Sequence, residues 1–233
     1  MTNQRAVITG AGQGTGRAIA RRLAQAGVHC VLVGRTASKL QDVAAEIAAD
    51  GGEASVQALD LTDDAAVADL GAALAGRTVD ILVNCAGDWL ISLMEDTSND
   101  QLDHILRVNL RAPYILTRTL LPNLRRSDNA SIINIGSLVT AISVPSVSAY
   151  TATKVGLKGL TGSLAAELKS ERIRVVMISP GPADTPMRAA ASPGIDKALL
   201  VQPETIADMV YAVASLPRGI TTSDCVLYSM AWE

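Results

Sequence analysis

The stretch Thr9-Gly10-Ala11-Gly12-Gln13-Gly14-Thr15-Gly16-Arg17 decides the fold. An apolar β-branched run, Ala6-Val7-Ile8, leads into it, and an Ala/Leu-rich segment, Ala18 to Gln25, leaves it. It therefore reads as a strand, a glycine-rich turn and a helix. Four glycines between positions 10 and 16 exceed what a plain turn needs. They let backbone approach a ligand closely, and the following helix N-terminus favours a phosphate. A P-loop needs Lys-Ser/Thr after its last glycine, whereas Arg17-Ala18 follows here. The common G-x-G-x-x-G fingerprint needs glycine at position 15, which is Thr. The pattern present is G-x-x-x-G-x-G on Gly10, Gly14 and Gly16.

Outward from this turn, short apolar runs recur: Cys30–Val33, Ala54–Ala58, Ile81–Val83, Ser131–Ile135, Val175–Ile178 and Cys225–Tyr228. Most are continuous rather than alternating, as in strands buried on both faces of a parallel sheet. Helical stretches separate them: Ser38–Ala49, Asp64–Leu74, Asn99–Arg125, Ala149–Lys169 and Glu204–Ser215. Thr36 or Ser38 is the expected N-cap of the first of these. The alternation predicts a single α/β domain over 1–233, a Rossmann-type doubly wound parallel sheet of about seven strands with helices on both faces. Only 180–203 reads as a long irregular loop, expected to act as a substrate lid.

Composition excludes other classes. The chain has 233 residues, 48% hydrophobic and 18% charged, so it affords a core and is not disordered. With no Phe and 3% aromatics, that core is aliphatic. A net charge of -3 argues against nucleic acid as a partner. No apolar run reaches membrane-span length, and Met1-Thr2-Asn3-Gln4-Arg5 lacks a signal-peptide layout. Cys30, Cys85 and Cys225 have no metal-ligand spacing and are expected as buried free thiols in a reducing cytoplasm; no metal is expected.

The second strand ends Val33-Gly34-Arg35-Thr36, the point that meets an adenosine ribose in dinucleotide folds. A carboxylate here would bind a free 2′-hydroxyl. Gly34 supplies none, and Arg35 offers a guanidinium to a 2′-phosphate, so NADP(H) is expected over NAD(H). Tyr150 and Lys154 stand at i and i+4 on one helix face. An ammonium beside a phenol is expected to lower its pKa toward general acid–base use. Alone, the pair also fits an amphipathic face with a snorkelling lysine. Ser137, at the carboxyl end of a strand, adds a hydroxyl that can hold a substrate carbonyl.

Taken in order, these features resemble the short-chain dehydrogenase/reductase family in its non-extended branch. The matching residues are Thr9-Gly10-x-x-x-Gly14-x-Gly16, Asp60-Leu61, Asn84-Cys85-Ala86-Gly87, Asn109, Ser137, Tyr150-x-x-x-Lys154 and Pro180-Gly181. The resemblance implies catalysis by Asn109, Ser137, Tyr150 and Lys154, with Asn109 holding a water that relays protons to Lys154. It implies a cofactor cradle of Gly10, Gly12, Gln13, Gly14, Thr15 and Gly16, with Arg35 and Thr36 at the ribose and Asp60 and Leu61 at the adenine. Asn84, Ala86 and Gly87 would stabilise the central strand and line the nicotinamide ribose, which Tyr150 and Lys154 would also meet. Pro180, Gly181 and Thr185 would position the nicotinamide. Thr15 stands where an aliphatic residue is usual, Cys85 where Asn is usual, and Gln13 where many NADP-dependent relatives carry Lys or Arg. The last departure leaves cofactor discrimination to Arg35.

Trp89, Leu90, Leu93, Leu138, Val139, Ile142, Val144, Pro182 and Met187 are candidate pocket residues, fitting an aliphatic or aromatic ketone or alcohol. The layout is similar to 3-oxoacyl-carrier-protein reductases and carbonyl reductases. An acidic carrier would want a basic rim, for which Arg125, Arg126, Lys169 and Arg172 are candidates; the first three also suit helix C-terminal ends. A dinucleotide-sensing protein without turnover is the alternative, though such proteins lose the Tyr or Lys. Small residues along 152–166 and the relatives' habit of pairing the two long helices imply a homodimer or homotetramer.

Overall fold

A computed structural model describes residues 1 and 3–231; Thr2, Trp232 and Glu233 lie outside the described residues. Its strands are β1 (Arg5–Thr9), β2 (His29–Gly34), β3 (Ala54–Ala58), β4 (Ile81–Asn84), β5 (Ser131–Ile135), β6 (Arg174–Pro180) and β7 (Asp224–Leu227). They form one parallel sheet in the order β3-β2-β1-β4-β5-β6-β7. The order reverses between β1 and β4, opening a crevice at their carboxyl ends.

The helices are α1 (Gly14–Gln25), α2 (Ala37–Ala49), α3 (Asp64–Ala73), α4 (Asn99–Leu106), α5 (Ala112–Leu124), α6 (Ser148–Glu167), α7 (Pro186–Ala191) and α8 (Pro203–Ala214). Strand residues alternate between two aliphatic layers. Ala6, Ile8, Leu32 and Val83 pack with Ile19 and Leu23 of α1, Leu40 of α2 and Val210 of α8. Val7, Val31, Val33 and Leu82 pack with Val67 and Leu70 of α3 and Leu116 and Leu120 of α5. Both strand faces are thus dry, which is why the runs are continuously apolar. Each fully buried Leu, Ile or Val contributes about 1.5–3 kcal/mol.

Two expectations are corrected. The stretch read as one helix over 99–125 is interrupted by a π-helical turn at Arg107–Arg111, between α4 and α5. The segment 180–203 is not irregular throughout: Thr185 caps α7 by accepting the Arg188 N–H, with Pro186 as first helical residue. Thr36 occupies the N-cap of α2 but makes no side-chain cap bond. Of the thiols, all free, Cys30 is buried while Cys85 and Cys225 are half-buried. No helix among the described residues is long and apolar enough to cross a membrane. None of their His, Cys, Asp and Glu side chains cluster as a metal site.

Candidate active site

The glycine turn is built by contact with the neighbouring strand end. Gly10 has φ +67°, and a Cβ there would lie 3.0 Å from the Ala86 Cα. A Cβ on Gly16 would collide with the Gly10 carbonyl oxygen, so α1 can begin this close to the turn only as glycine. Thr9 locks the pair of turns together. Its hydroxyl accepts the Cys85 and Ala86 N–H groups, each at 2.9 Å, and donates to the Val83 carbonyl.

A cavity of about 530 Å³ runs along the carboxyl ends of β1 to β6. Every residue assigned above to cofactor or catalysis lines it, except Asn84 and Asn109. Asn84 is 3% exposed and donates to Asn134 Oδ1 at 2.8 Å and Thr117 Oγ1 at 3.3 Å. Asn134 donates onward to Thr161 of α6. Asn84 thus ties β4 to β5 through buried polar groups, and its side chain stands apart from the cavity. Asn109 sits in the π turn with both ends of its amide in use. Oδ1 accepts the Asp88 N–H at 2.8 Å; Nδ2 donates to the Asp88 carbonyl at 2.9 Å and to Thr153 Oγ1 at 3.2 Å. The amide clamps the turn after β4. A π turn displaces one residue from the helical ladder, a feature common at functional sites.

Among the pocket candidates, Leu90 and Leu93 do not line the cavity. Leu90 packs in a small apolar cluster with Ile105, Val139, Val147 and Tyr150, and Leu93 is half exposed. The suggested basic rim lies at the wrong edge. Arg125, Arg126, Lys169 and Arg172 immediately precede β5 and β6, at the amino ends of the strands, whereas the cavity is at their carboxyl ends. Arg125 is engaged there with Glu171 at 2.7 Å.

Ser137, Tyr150 and Lys154 share one end of the cavity. Ser137 precedes a 3₁₀ turn, Leu138–Thr140, that holds it just beyond β5. Tyr150 is 8% exposed, and its ring packs on Trp89 with centroids 4.3 Å apart. The expected lowering of the phenol is not found. Burial pushes Tyr150 up to about 12, and the Ser137 hydroxyl and the Arg188 charge only partly oppose it. The Lys154 ammonium instead donates to the Ile135 carbonyl at 3.0 Å. Burial draws Lys154 down to about 8, against which only Cys85 acts. Burial also raises the Cys85 thiol to about 12, so it stays protonated. Asp60 is held below the usual carboxylate range, first by the Thr62 backbone N–H, while burial opposes.

The ionisable groups of Lys39, Asp88, His104 and Arg188 line the cavity and escaped the sequence reading. Lys39 donates to Gln13 Oε1 at 2.7 Å beside Gly12, so a cation does stand where Gln13 lacks one. Its place in the first turn of α2, directly after Arg35 and Thr36, was the signal. His104 lies 2.9 Å from the Asp88 carboxylate across the cavity mouth, a pairing made by the tertiary fold alone. Arg188 projects from α7, which the Thr185-Pro186 helix-start signal announces.

Residues 4–196 match the family described as short chain dehydrogenase. The chain is 34% identical over 227 residues to an uncharacterized oxidoreductase of Staphylococcus aureus, covering 96% of each. It superposes on an alcohol dehydrogenase of the archaeon Thermococcus sibiricus, complexed with 5-hydroxy-NADP, with a TM-score of 0.91 at 27% identity, covering 99% of this chain and 98% of that one. A metagenomic short-chain oxidoreductase in complex with NADP gives 0.85 at 36% identity, covering 98% of both. With its glycine turn, parallel sheet and Ser137, Tyr150 and Lys154 gathered in one cavity, this chain belongs to the short-chain dehydrogenase/reductase family of oxidoreductases.

Proposed function

We propose that the protein transfers a hydride between NADP(H) and a ketone or secondary alcohol, with Tyr150 as general acid–base. The observation that carries this reading is the convergence of Ser137, Tyr150 and Lys154 in one cavity that the glycine turn also lines, with Lys154 Nζ 5.8 Å from the Tyr150 ring centroid. The residues present fit a dinucleotide: Gly10 and Gly16 leave no room for side chains of their own, and the helix N-terminus behind them suits a diphosphate. Arg35 and Lys39 would hold the 2′-phosphate, Asp60 and Leu61 the adenine, and Lys154 the nicotinamide ribose. When bound, the reduced nicotinamide supplies the hydride.

Ser137 holds the carbonyl oxygen by its hydroxyl. Tyr150 gives its proton to that oxygen as the carbon is reduced, and the buried Lys154 ammonium, 5.8 Å from the Tyr150 ring centroid, is the nearby proton source. A phenol held near 12 is protonated at neutral pH, the state that reduction needs. Asn109 contributes by fixing the Asp88 turn rather than by touching substrate. The substrate is a small molecule, and the protein works as a homodimer or homotetramer in the cytoplasm. The test is the fall of NADPH absorbance with a panel of ketones. Oxidation of NADPH by at least one of them supports the reading; binding of NADPH with no turnover of any would sink it in favour of a dinucleotide sensor.

A further inference from the structure

Helix α7 brings a cation into the wall that faces Tyr150. The Arg188 guanidinium carbon lies 5.1 Å from the Trp89 ring centroid, and the Trp89 ring packs in turn on Tyr150. All three line the same cavity. Arg188 is half-buried and donates to Ser192 Oγ at 3.3 Å. No carboxylate among the described residues pairs with it. The Trp89 indole N–H, in the same wall, is buried without an acceptor.

Burial disfavours the charged form of Arg188. A guanidinium kept in a partly apolar wall without a counter-charge carries a desolvation cost that an anionic ligand offsets. A guanidinium is a planar donor fork that matches a carboxylate in parallel hydrogen bonds, and only its Nη1 is engaged here, with Ser192. Val139, Ile142, Val144 and Met187 line the same cavity, and its Asp88 carboxylate is engaged by His104. A cation without a carboxylate partner beside these aliphatic groups suits a single small negative charge on an otherwise apolar molecule.

We propose that Arg188 determines specificity, and that the substrate carries a carboxylate a few bonds from its reacting carbonyl. This rests on the carbonyl-reductase reading above. It turns the neutral ketone expected from the pocket's apolar residues into an oxo acid.

The experiment compares the 2-, 3- and 4-oxo acids of five carbons with their methyl esters, in the wild type, Arg188→Ala and Arg188→Lys. In the wild type, kcat/KM for at least one acid should exceed that of its ester by about ten- to a hundredfold, the range of one charge-assisted pair. Arg188→Ala should remove that margin mainly through KM for the acid, changing kcat/KM for the ester far less and leaving the NADPH KM unchanged, and Arg188→Lys should restore part of it. Equal kcat/KM for every acid and its ester overturns the proposal. So does an Arg188→Ala variant whose main defect is NADPH binding, which would make Arg188 a clamp on the cofactor. Titration of the tryptophan fluorescence with pentanoate and pentanamide, in the presence of NADP, needs no turnover. Saturation by pentanoate alone, lost in Arg188→Ala, supports the site even if no carbonyl is reduced; failure to discriminate the two counts against it.

Discussion

At the scale of single residues, Tyr150 is the test of chemistry. Tyr150→Phe keeps the ring that packs on Trp89 and removes the proton donor, so turnover should fall at least a thousandfold, within the upper range of general acid–base contributions. NADPH binding by fluorescence should be unchanged; near-normal kcat in the variant contradicts the assignment. Lys154 makes a pH prediction. Its ordinary value of 10.5 falls to about 8 in the folded chain. Between these values the unfolded chain binds a proton that the folded chain lacks, so this group's contribution to stability improves as pH rises through that window. Lys154→Met abolishes the term. The Tm of the variant minus that of the wild type should therefore shrink from pH 7.5 to pH 10; a constant difference would argue against a buried, depressed lysine. The proposed preference for NADP(H) rests on Arg35 and Lys39. Each charge-assisted hydrogen bond to a phosphate is worth about 1.5–3 kcal/mol. Preference for NADPH over NADH in kcat/KM should thus exceed the tenfold to hundredfold expected of Arg35 alone. Arg35→Ala and Lys39→Ala should each erode it by about tenfold, and Gly34→Asp should turn it toward NADH.

Among the elements, the π turn in the α4–α5 helix is the most informative. The sequence marks a helix over that stretch, and no spacing in it announces the extra residue. The turn is decided by what Asn109 meets: the Asp88 backbone on one side and Thr153 of α6 on the other. A buried amide with three satisfied bonds outweighs one strained helical turn. Asn109→Ala leaves the Asp88 N–H without its acceptor and should lower stability by about 1–3 kcal/mol in urea unfolding. Asn109→Asp keeps the acceptor for the Asp88 N–H but sets an oxygen against the Asp88 carbonyl, so it should recover only part of that loss. Helix α7 was hidden for a different reason. Six residues are too few for a periodic pattern, and only the Thr185 cap with Pro186 betrays its start.

Over the whole molecule, the open question is assembly. Of the small residues on α6, Gly156 meets Leu110 closely, which explains its size within one chain. A Cβ on Gly159 or Gly162 would meet nothing within 4 Å. They therefore face outward, alongside exposed Val155 and Tyr114 and an apolar groove that includes Leu106, Leu110 and Leu160. A partner helix seated here would bury that face, as paired small-residue helices do. Sedimentation at micromolar concentration should give a dimer or tetramer, and Gly159→Arg should shift it toward monomer. A monomeric wild type would refute this.

The residue order alone determined the layered fold, because continuous apolar runs alternating with helical segments leave few arrangements other than a covered parallel sheet. It also determined the glycine turn and the Ser137, Tyr150 and Lys154 set, since each lies at a strand end or on one helix face where local spacing is the geometry. Only the tertiary structure decided what lies between elements far apart in the chain. It put Lys39 against Gln13, turned Asn84 into the sheet and placed Arg188 over Trp89. It also raised Tyr150 where local charge alone would lower it, because the desolvation of a phenol depends on every surface packed around it, and those surfaces come from separate parts of the chain.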